Sequence, residues 1–396
     1  MARILFAWEL GDNLGHLTRD LPLVRACVQA GHIVLMAVAN LRIASNLLAR
    51  EEGITLLQAP LLKSAARLHK PPINYADMLL HEGYADFDAL DGAVRGWLSL
   101  IDLARPDLLV YNHAPTALLA ARLVDLPVML VGTGFEIPPQ TASLPVFRPW
   151  LNIPEAAAKE AEQFLLARIN PYLIRHRRAP LNRSIDLFSG QRAQLATFAE
   201  LDPFGPRNDA DYIGPIFALS KSITVNWAST KGRHVFAYLR PGIPSVEHLL
   251  NALNKTDAEV LCVAPGLPVD WPTRYPGVRF LDHPVDLGPL LPDADLVVTY
   301  GASTIATALL AGVPVLLIPQ VIEQYLAGVA LQKTGAGLML GEDRSEARCA
   351  SMLEEILFKP NIREAAERLS QRYADFDSQQ VVERLYERMT ALLRKS

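Results

Sequence analysis

The sequence predicts an α/β protein built from two doubly wound, Rossmann-like domains with parallel sheets. Three observations carry that expectation. Short β-branched runs alternate with helical stretches through most of the chain, which calls for parallel strands joined by right-handed crossovers. The 396 residues are enough for two domains of ordinary size. Two strand–turn–helix junctions, one near each end of the sequence, carry the small and polar residues of ligand sites.

The elements read as follows. Ile4 to Trp8 is a strand that begins almost at the first residue, with no signal peptide before it. Leu17 to Ala30 is a helix closed by Gly31, and Ile33 to Val38 is the next strand. Ala65 to Arg105 mixes helix and loop. Leu108 to Tyr111 and Val128 to Val131 are core strands flanking an Ala-rich helix, Thr116 to Val124. Residues 135–195 form a second irregular region, broken by Pro138, Pro139, Pro145, Pro149 and Pro154 and interrupted by a helix, Glu155 to Arg168. Long interruptions of this kind in an α/β domain are usually substrate-side loops. Pro203 to Arg207 and Gly214-Pro215 mark a linker, and Val235 to Leu239 opens the second domain.

Composition narrows the class. Half the residues are hydrophobic and a fifth are charged, as in a globular protein. The formal charge of −4, with no block of Lys and Arg, argues against nucleic acid as a partner. Cys27, Cys262 and Cys349 lie far apart without metal spacing and read as buried, reduced thiols of a cytoplasmic protein. The uncharged run Leu296 to Gln320 is long enough to span a bilayer, but Gly301 and Gly312-Val313-Pro314 divide it into strand, helix and strand. No transmembrane segment is expected. Peripheral membrane contact stays open, because prolines and aromatics populate the loops.

The most informative stretch is Val297 to Gly337. A strand, Asp295 to Thr299, meets the small-residue turn Tyr300-Gly301-Ala302-Ser303-Thr304, from which a helix runs to Gly312. Free N–H groups and the positive end of the helix dipole make such a turn an anion site. Gly301 permits close approach of a phosphate, and Ser303 and Thr304 add hydroxyl donors. Val313 to Pro319 is a buried strand followed by Glu323-Gln324, a pair suited to sugar hydroxyls. Near the other end, Trp8 to Asp20 leaves the first strand and enters the first helix through Gly15-His16. The Gly-x-Gly-x-x-Gly spacing of a dinucleotide site is absent.

The phosphate turn, the Gly-Val-Pro strand and the Glu-Gln pair together resemble the nucleotide-sugar motif of the GT-B glycosyltransferases, most nearly the bacterial and plant enzymes that glycosylate small molecules. Gly15-His16 resembles the Gly-His of the same family. The resemblance implies two Rossmann-like domains facing across a cleft: residues 1–207 for the acceptor, 208–380 for the nucleotide sugar, and a final helix in 381–396 that packs back on the first domain. It implies an inverting, metal-independent transferase with no cofactor, moving a sugar from a UDP- or dTDP-linked donor to a small-molecule, lipid or glycan hydroxyl. His16 is then the general base, since an acceptor hydroxyl is a poor nucleophile until its proton is taken. The helix N-terminus favours its neutral form. Asp12 is the rival base.

Several positions depart from the family. Thr299 stands where a His usually meets a donor phosphate, and Thr307 where a Glu often binds ribose. A related cell-wall N-acetylglucosaminyltransferase also lacks that His. Asn112 occupies the place of the Asp that orients the base, and it cannot offset imidazolium charge. Either the dyad is weakened, or Glu9, Asp12 or Glu136 supplies the carboxylate. His113 is a candidate acceptor ligand. Gly132 to Pro139, with Phe135 and Glu136, reads as acceptor wall. Arg240, after the second domain's first strand, is placed for a charge-assisted phosphate contact. Leu281 to Val285, including His283, reads as the base-binding loop, with Leu281 where the family has a stacking Trp. Two alternatives remain on the same fold: a nucleotide-sugar epimerase, and a non-catalytic partner of another transferase.

Overall fold

The computed structural model describes residues 1–11, 14–62, 70–217 and 223–394. The chain divides into two compact units. The first comprises residues 1–199, 206–218 and 377–396, and the second residues 200–205 and 219–376.

The first unit holds a parallel sheet of seven strands: β1 (Arg3–Trp8), β2 (Ile33–Val38), β3 (Ile54–Gln58), β4 (Leu108–Asn112), β5 (Val128–Gly132), β6 (Ala193–Leu195) and β7 (Ala210–Tyr212). Their order is β3-β2-β1-β4-β5-β6-β7. β1 and β4 are buried along nearly their whole length, as a strand covered by helices on both faces must be. The order reverses between β1 and β4, whose carboxyl ends lie in register with Trp8 opposite Asn112. In open α/β sheets a crevice opens at such a reversal, and ligands bind there. The Leu14–Gln29 helix leaves β1 at this point.

The second unit repeats the plan with six parallel strands: β8 (His234–Tyr238), β9 (Glu259–Val263), β10 (Val278–Leu281), β11 (Leu296–Thr299), β12 (Val315–Leu317) and β13 (Gly337–Met339). The order is β10-β9-β8-β11-β12-β13, with the reversal between β8 and β11. Period-2 alternation sends Val235, Ala237, Val298 and Leu316 into one core layer and Phe236, Val297, Val315 and Leu317 into the other. The Ala302–Leu310 helix starts at the carboxyl end of β11.

Both domain sheets were legible from the alternation, and the structure alters some boundaries. The helix expected over Glu155 to Arg168 runs to Arg175 through Pro171, because Ile169, Tyr172 and Leu173 bury their side chains beyond the expected end. The strand expected over Val313 to Pro319 pairs only at Val315–Leu317. Residues 206–217 belong with the first unit through β7. The helix expected at the end of the chain spans Ser378–Leu393 and packs on the first unit. There Cys27 Sγ lies 3.6 Å from Met389 Sδ, and His32 Nε2 lies 3.0 Å from the Tyr386 hydroxyl. The three cysteines are buried and free. Among the described residues no helix is long and apolar enough to cross a membrane.

Candidate active site

His16 is the third residue of the Leu14–Gln29 helix, and its ring is nearly buried, 8% exposed. Its Nδ1 lies 2.8 Å from Asn112 Oδ1, at the carboxyl end of β4. The amide oxygen only accepts, so a neutral His16 in this contact carries its proton on Nδ1 and its lone pair on Nε2. Nε2 faces Gly11, where an added Cβ would stand 2.5 Å from it and where φ is +87°. Both the turn and the space beside Nε2 therefore require glycine. The ring stacks with the indole of Trp8 at 5.5 Å and with His113 at 5.9 Å between centroids.

A buried ion pair backs this arrangement. The Arg19 guanidinium grips Glu136 with both forks, Nη1 to Oε1 at 3.0 Å and Nη2 to Oε2 at 2.8 Å. Its Nη2 also donates to Asn112 Oδ1. Glu136 Oε1 lies 3.6 Å from His16 Nδ1, and Oε2 accepts from the Thr133 N–H at 2.9 Å. Burial raises the Glu136 carboxyl's pKa, but the Arg19 guanidinium outweighs burial and holds it well below the usual range. Gly132 admits this carboxylate, since a Cβ there would meet Oε2 at 2.7 Å.

Of the three carboxylates weighed for His16, the structure brings in Glu136. Glu9 is turned elsewhere. Its carboxylate caps the Pro115–Leu123 helix, accepting from the Thr116 hydroxyl and from the Thr116 N–H at 2.9 Å. Asp12 lies outside the described residues. Trp8, Gly11, Arg19 and Asp20 also contribute, and sequence reasoning did not single them out. The signal for Arg19 and Asp20 was present as two charged residues three and four places after His16, on the same face of one helix.

His113 sits at φ +47°, 5% exposed, and neither ring nitrogen has a hydrogen-bond partner among the described residues. Burial drives its pKa down to about 3, so it is neutral. Phe135 is 3% exposed and packs against Tyr75, His113 and Phe147 at ring distances of 5.3–6.2 Å. His16, His113 and Glu136 each place one ligand atom within 4.8 Å of the others. Arg19, paired to Glu136 and 3.5 Å from His16 Nδ1, puts a fixed cation against that cluster and opposes a metal ion.

The second unit carries the other candidates after the carboxyl ends of its strands β8, β10, β11 and β12. Thr299 is fully buried and its hydroxyl accepts from the Gly301 N–H at 3.1 Å. Gly301 is the N-cap of the Ala302–Leu310 helix and provides no side-chain cap, so the first-turn N–H groups face outward. A Cβ at Gly301 would touch only the Thr304 and Thr299 hydroxyls, at 3.8 and 3.9 Å, so the protein itself does not demand glycine there. Ser303 is exposed and Thr304 partly exposed. Arg240, just past β8, lies over the Tyr300 ring, 5.5 Å from its centroid. Glu323 and Gln324 open the Ile322–Thr334 helix, and Gln324 Oε1 accepts from the Gln320 N–H at 2.7 Å. His283 is half exposed beside Asp282, its Nδ1 2.6 Å from Oδ1. Val285 is buried and bridges to Ile223. Thr307, in place of the family's Glu, turns its hydroxyl to the Ser303 carbonyl at 2.9 Å.

Two reversal points with polar residues at the carboxyl ends of their strands are the plan of a known fold, and solved structures share it over the whole chain. The glycosyltransferase VinC in complex with dTDP superposes with a TM-score of 0.68 at 17% identity, covering 100% of both chains. The rhamnosyltransferase SpnG, solved with spinosyn aglycone, gives 0.67 at 19% identity over 97% of this chain and 99% of that one. The fold is that of the GT-B glycosyltransferases. Residues 247–388 match the family described as erythromycin biosynthesis protein CIII-like, C-terminal domain. A curated relative, the TDP-daunosamine transferase DnrS of Streptomyces peucetius, is 34% identical over 133 residues. That match spans 32% of this chain and 31% of the relative.

Proposed function

We propose that the protein is an inverting, metal-independent glycosyltransferase that moves a sugar from a nucleotide-diphosphate donor to an acceptor hydroxyl. The observation that carries this reading is His16: a nearly buried imidazole held through Nδ1 by Asn112, with Nε2 turned toward Gly11. Nε2 takes the acceptor proton, and the oxygen attacks the anomeric carbon opposite the diphosphate. The bond from that carbon to the diphosphate breaks, and the leaving group departs with its electron pair. N–H groups at Gly301 to Thr304, the Ser303 and Thr304 hydroxyls and Arg240 meet its charge as fixed donors. Glu323 and Gln324 read the sugar, and the loop holding His283 and Val285 reads the base. The acceptor is assigned to the first unit, with His113 and Phe135 lining its side.

VinC carries dTDP in its structure and DnrS is named for a TDP-sugar, which supports a dTDP-linked donor. The Arg19–Glu136 pair supports chemistry without a metal ion at His16. Thermal shift with dTDP, UDP and GDP tests nucleotide binding. Release of dTDP from dTDP-glucose, with and without EDTA, tests turnover and metal dependence. The expected result is a shift with dTDP and turnover that survives EDTA. Failure of every nucleotide to shift the melting temperature would leave a non-catalytic scaffold. Loss of turnover in EDTA, restored by magnesium or manganese, would replace the proposed phosphate site with a metal.

A further inference from the structure

The polar cluster around His16 contains one carboxylate that the reaction does not use. Asp20 lies one helical turn beyond His16 on the same face of the helix, and only 4% of it is exposed. Its Oδ2 accepts a hydrogen bond from Asn112 Nδ2 at 2.7 Å. The same nitrogen donates to the His16 carbonyl at 3.0 Å. The amide oxygen on the other side faces Arg19 and, at 2.8 Å, His16 Nδ1. Each end of the amide therefore meets partners of opposite polarity. Turning it over would aim its NH2 at a guanidinium and its oxygen at a carboxyl group, with every partner buried.

We propose that Asp20 is a positioning residue: by fixing the orientation of the Asn112 amide, it holds His16 in the Nδ1–H tautomer that leaves Nε2 as the basic nitrogen. The proposal rests on the reading of His16 as the base. Among the described residues, Arg19 holds the oxygen end of the same amide and Asp20 the nitrogen end. Arg19 and Glu136 pair with each other, so their charges largely offset, and His113 is neutral. Glu136 approaches Nδ1 only to 3.6 Å, whereas Asn112 is in hydrogen-bond contact. Burial raises the Asp20 carboxyl to about 7, against the pull of Arg19 and the Asn112 amide. Ionised or protonated, it still offers an oxygen lone pair to Nδ2.

The test uses the full chain labelled with 15N-histidine. Two-bond proton–nitrogen spectra report each imidazole tautomer without any substrate, and His16→Gln assigns the His16 signals. The wild type should show the Nδ1–H form alone. Asp20→Ala should populate the Nε2–H form and slow dTDP release from dTDP-glucose by about a hundredfold, with KM for the sugar nucleotide unchanged. Asp20→Asn, which keeps an acceptor oxygen in place, should restore both. If Asp20→Ala unfolds the protein, the pair Asp20→Asn with Asn112→Asp answers instead. The exchanged pair keeps the hydrogen bond with its polarity reversed and should retain the Nδ1–H form. Asn112→Asp alone sets two carboxyl groups against each other and should lower the melting temperature, which the exchanged pair should recover. A pure Nδ1–H tautomer in Asp20→Ala, or, where that variant unfolds, an Asn112→Asp protein as stable as the exchanged pair, would overturn the proposal. The base assignment is separable. Full turnover in His16→Ala, with a scrambled tautomer in Asp20→Ala, would remove His16 from the chemistry and leave the positioning role of Asp20 standing.

Discussion

His16 is useful only because of what surrounds it. As a lone histidine in a helix it would be unremarkable; stacked with Trp8, hydrogen-bonded to Asn112 and bordered by Gly11, it presents one nitrogen in one protonation form. If that nitrogen takes the acceptor proton, His16→Ala should reduce turnover by roughly a hundredfold or more while leaving the affinity for dTDP nearly unchanged. Steady-state kinetics and calorimetry on the same variant check both halves. Gly11→Ala makes a second prediction. The new methyl would collide with Nε2 at 2.5 Å and the backbone would be held at φ +87°, a conformation that disfavours side chains. Turnover should fall about as far as in His16→Ala, with a modest drop in melting temperature. An active Gly11→Ala enzyme would mean that Nε2 is not where the proton goes. At this scale the sequence was partly legible. Gly15-His16 and Asn112 were singled out through the family resemblance, and Glu136 by its place after a core strand. Their mutual contacts span 96 residues (His16 to Asn112) and 136 − 16 = 120 residues (His16 to Glu136), separations at which periodicity carries no information. Arg19 and Asp20 escaped notice because charged residues on a helix are usually its solvated face.

The elements carry the second kind of information. Each reversal of strand order was implied by the alternation of strands and helices, and each is where the polar turns lie. The short strands β6 and β7 were not legible, because three residues give no measurable period and their pairing depends on distant β5. Among the three carboxylates weighed for His16, the helix end that Glu9 caps could not be read for a related reason: it depends on how β1 and β4 align. The open turn before the Ala302–Leu310 helix makes a prediction about ligands. Thr304→Val should weaken dTDP and its sugar conjugate alike, by about 1–3 kcal/mol for phosphate oxygens left unsatisfied. Gln324→Ala should weaken the sugar conjugate and leave dTDP nearly untouched. The Gln324 hydrogen bond to the Gln320 N–H shapes the loop after β12, so the melting temperature of this variant belongs in the same experiment. Equal losses for both ligands in Gln324→Ala would show that the pair does not read the sugar.

Over the whole molecule, buried carboxyl groups tie stability to pH. Burial pushes Glu9 up to about 7 despite its hydrogen bonds to the helix end, and Asp20 up to about 7 as well. Both titrate near 4 in an unfolded chain. The folded state thus binds these protons more tightly. The stability they contribute is complete below about pH 4 and is lost as pH rises through about 7. Glu136, held low, acts in the opposite sense: its contribution is present above the ordinary carboxylate range and disappears in acid. Calorimetry from pH 5 to pH 8 should show the melting temperature falling, and Glu9→Gln should flatten that fall. A parallel slope in the variant would mean that Glu9 is ionised in the folded protein throughout.

The Ser378–Leu393 helix belongs to the first unit although the second is threaded before it. A ribosome delivers the chain in order. The first sheet is complete once β7 has emerged, yet the face that holds Cys27 stays bare until Met389 arrives. At about 5–20 residues per second, that interval is roughly ten to thirty seconds. The first unit therefore spends its infancy with an apolar flank exposed, while the second can close before synthesis ends. A chain that stalls after residue 376 would release a finished second unit joined to an unfinished first one, and it is the first that a chaperone would be called on to guard.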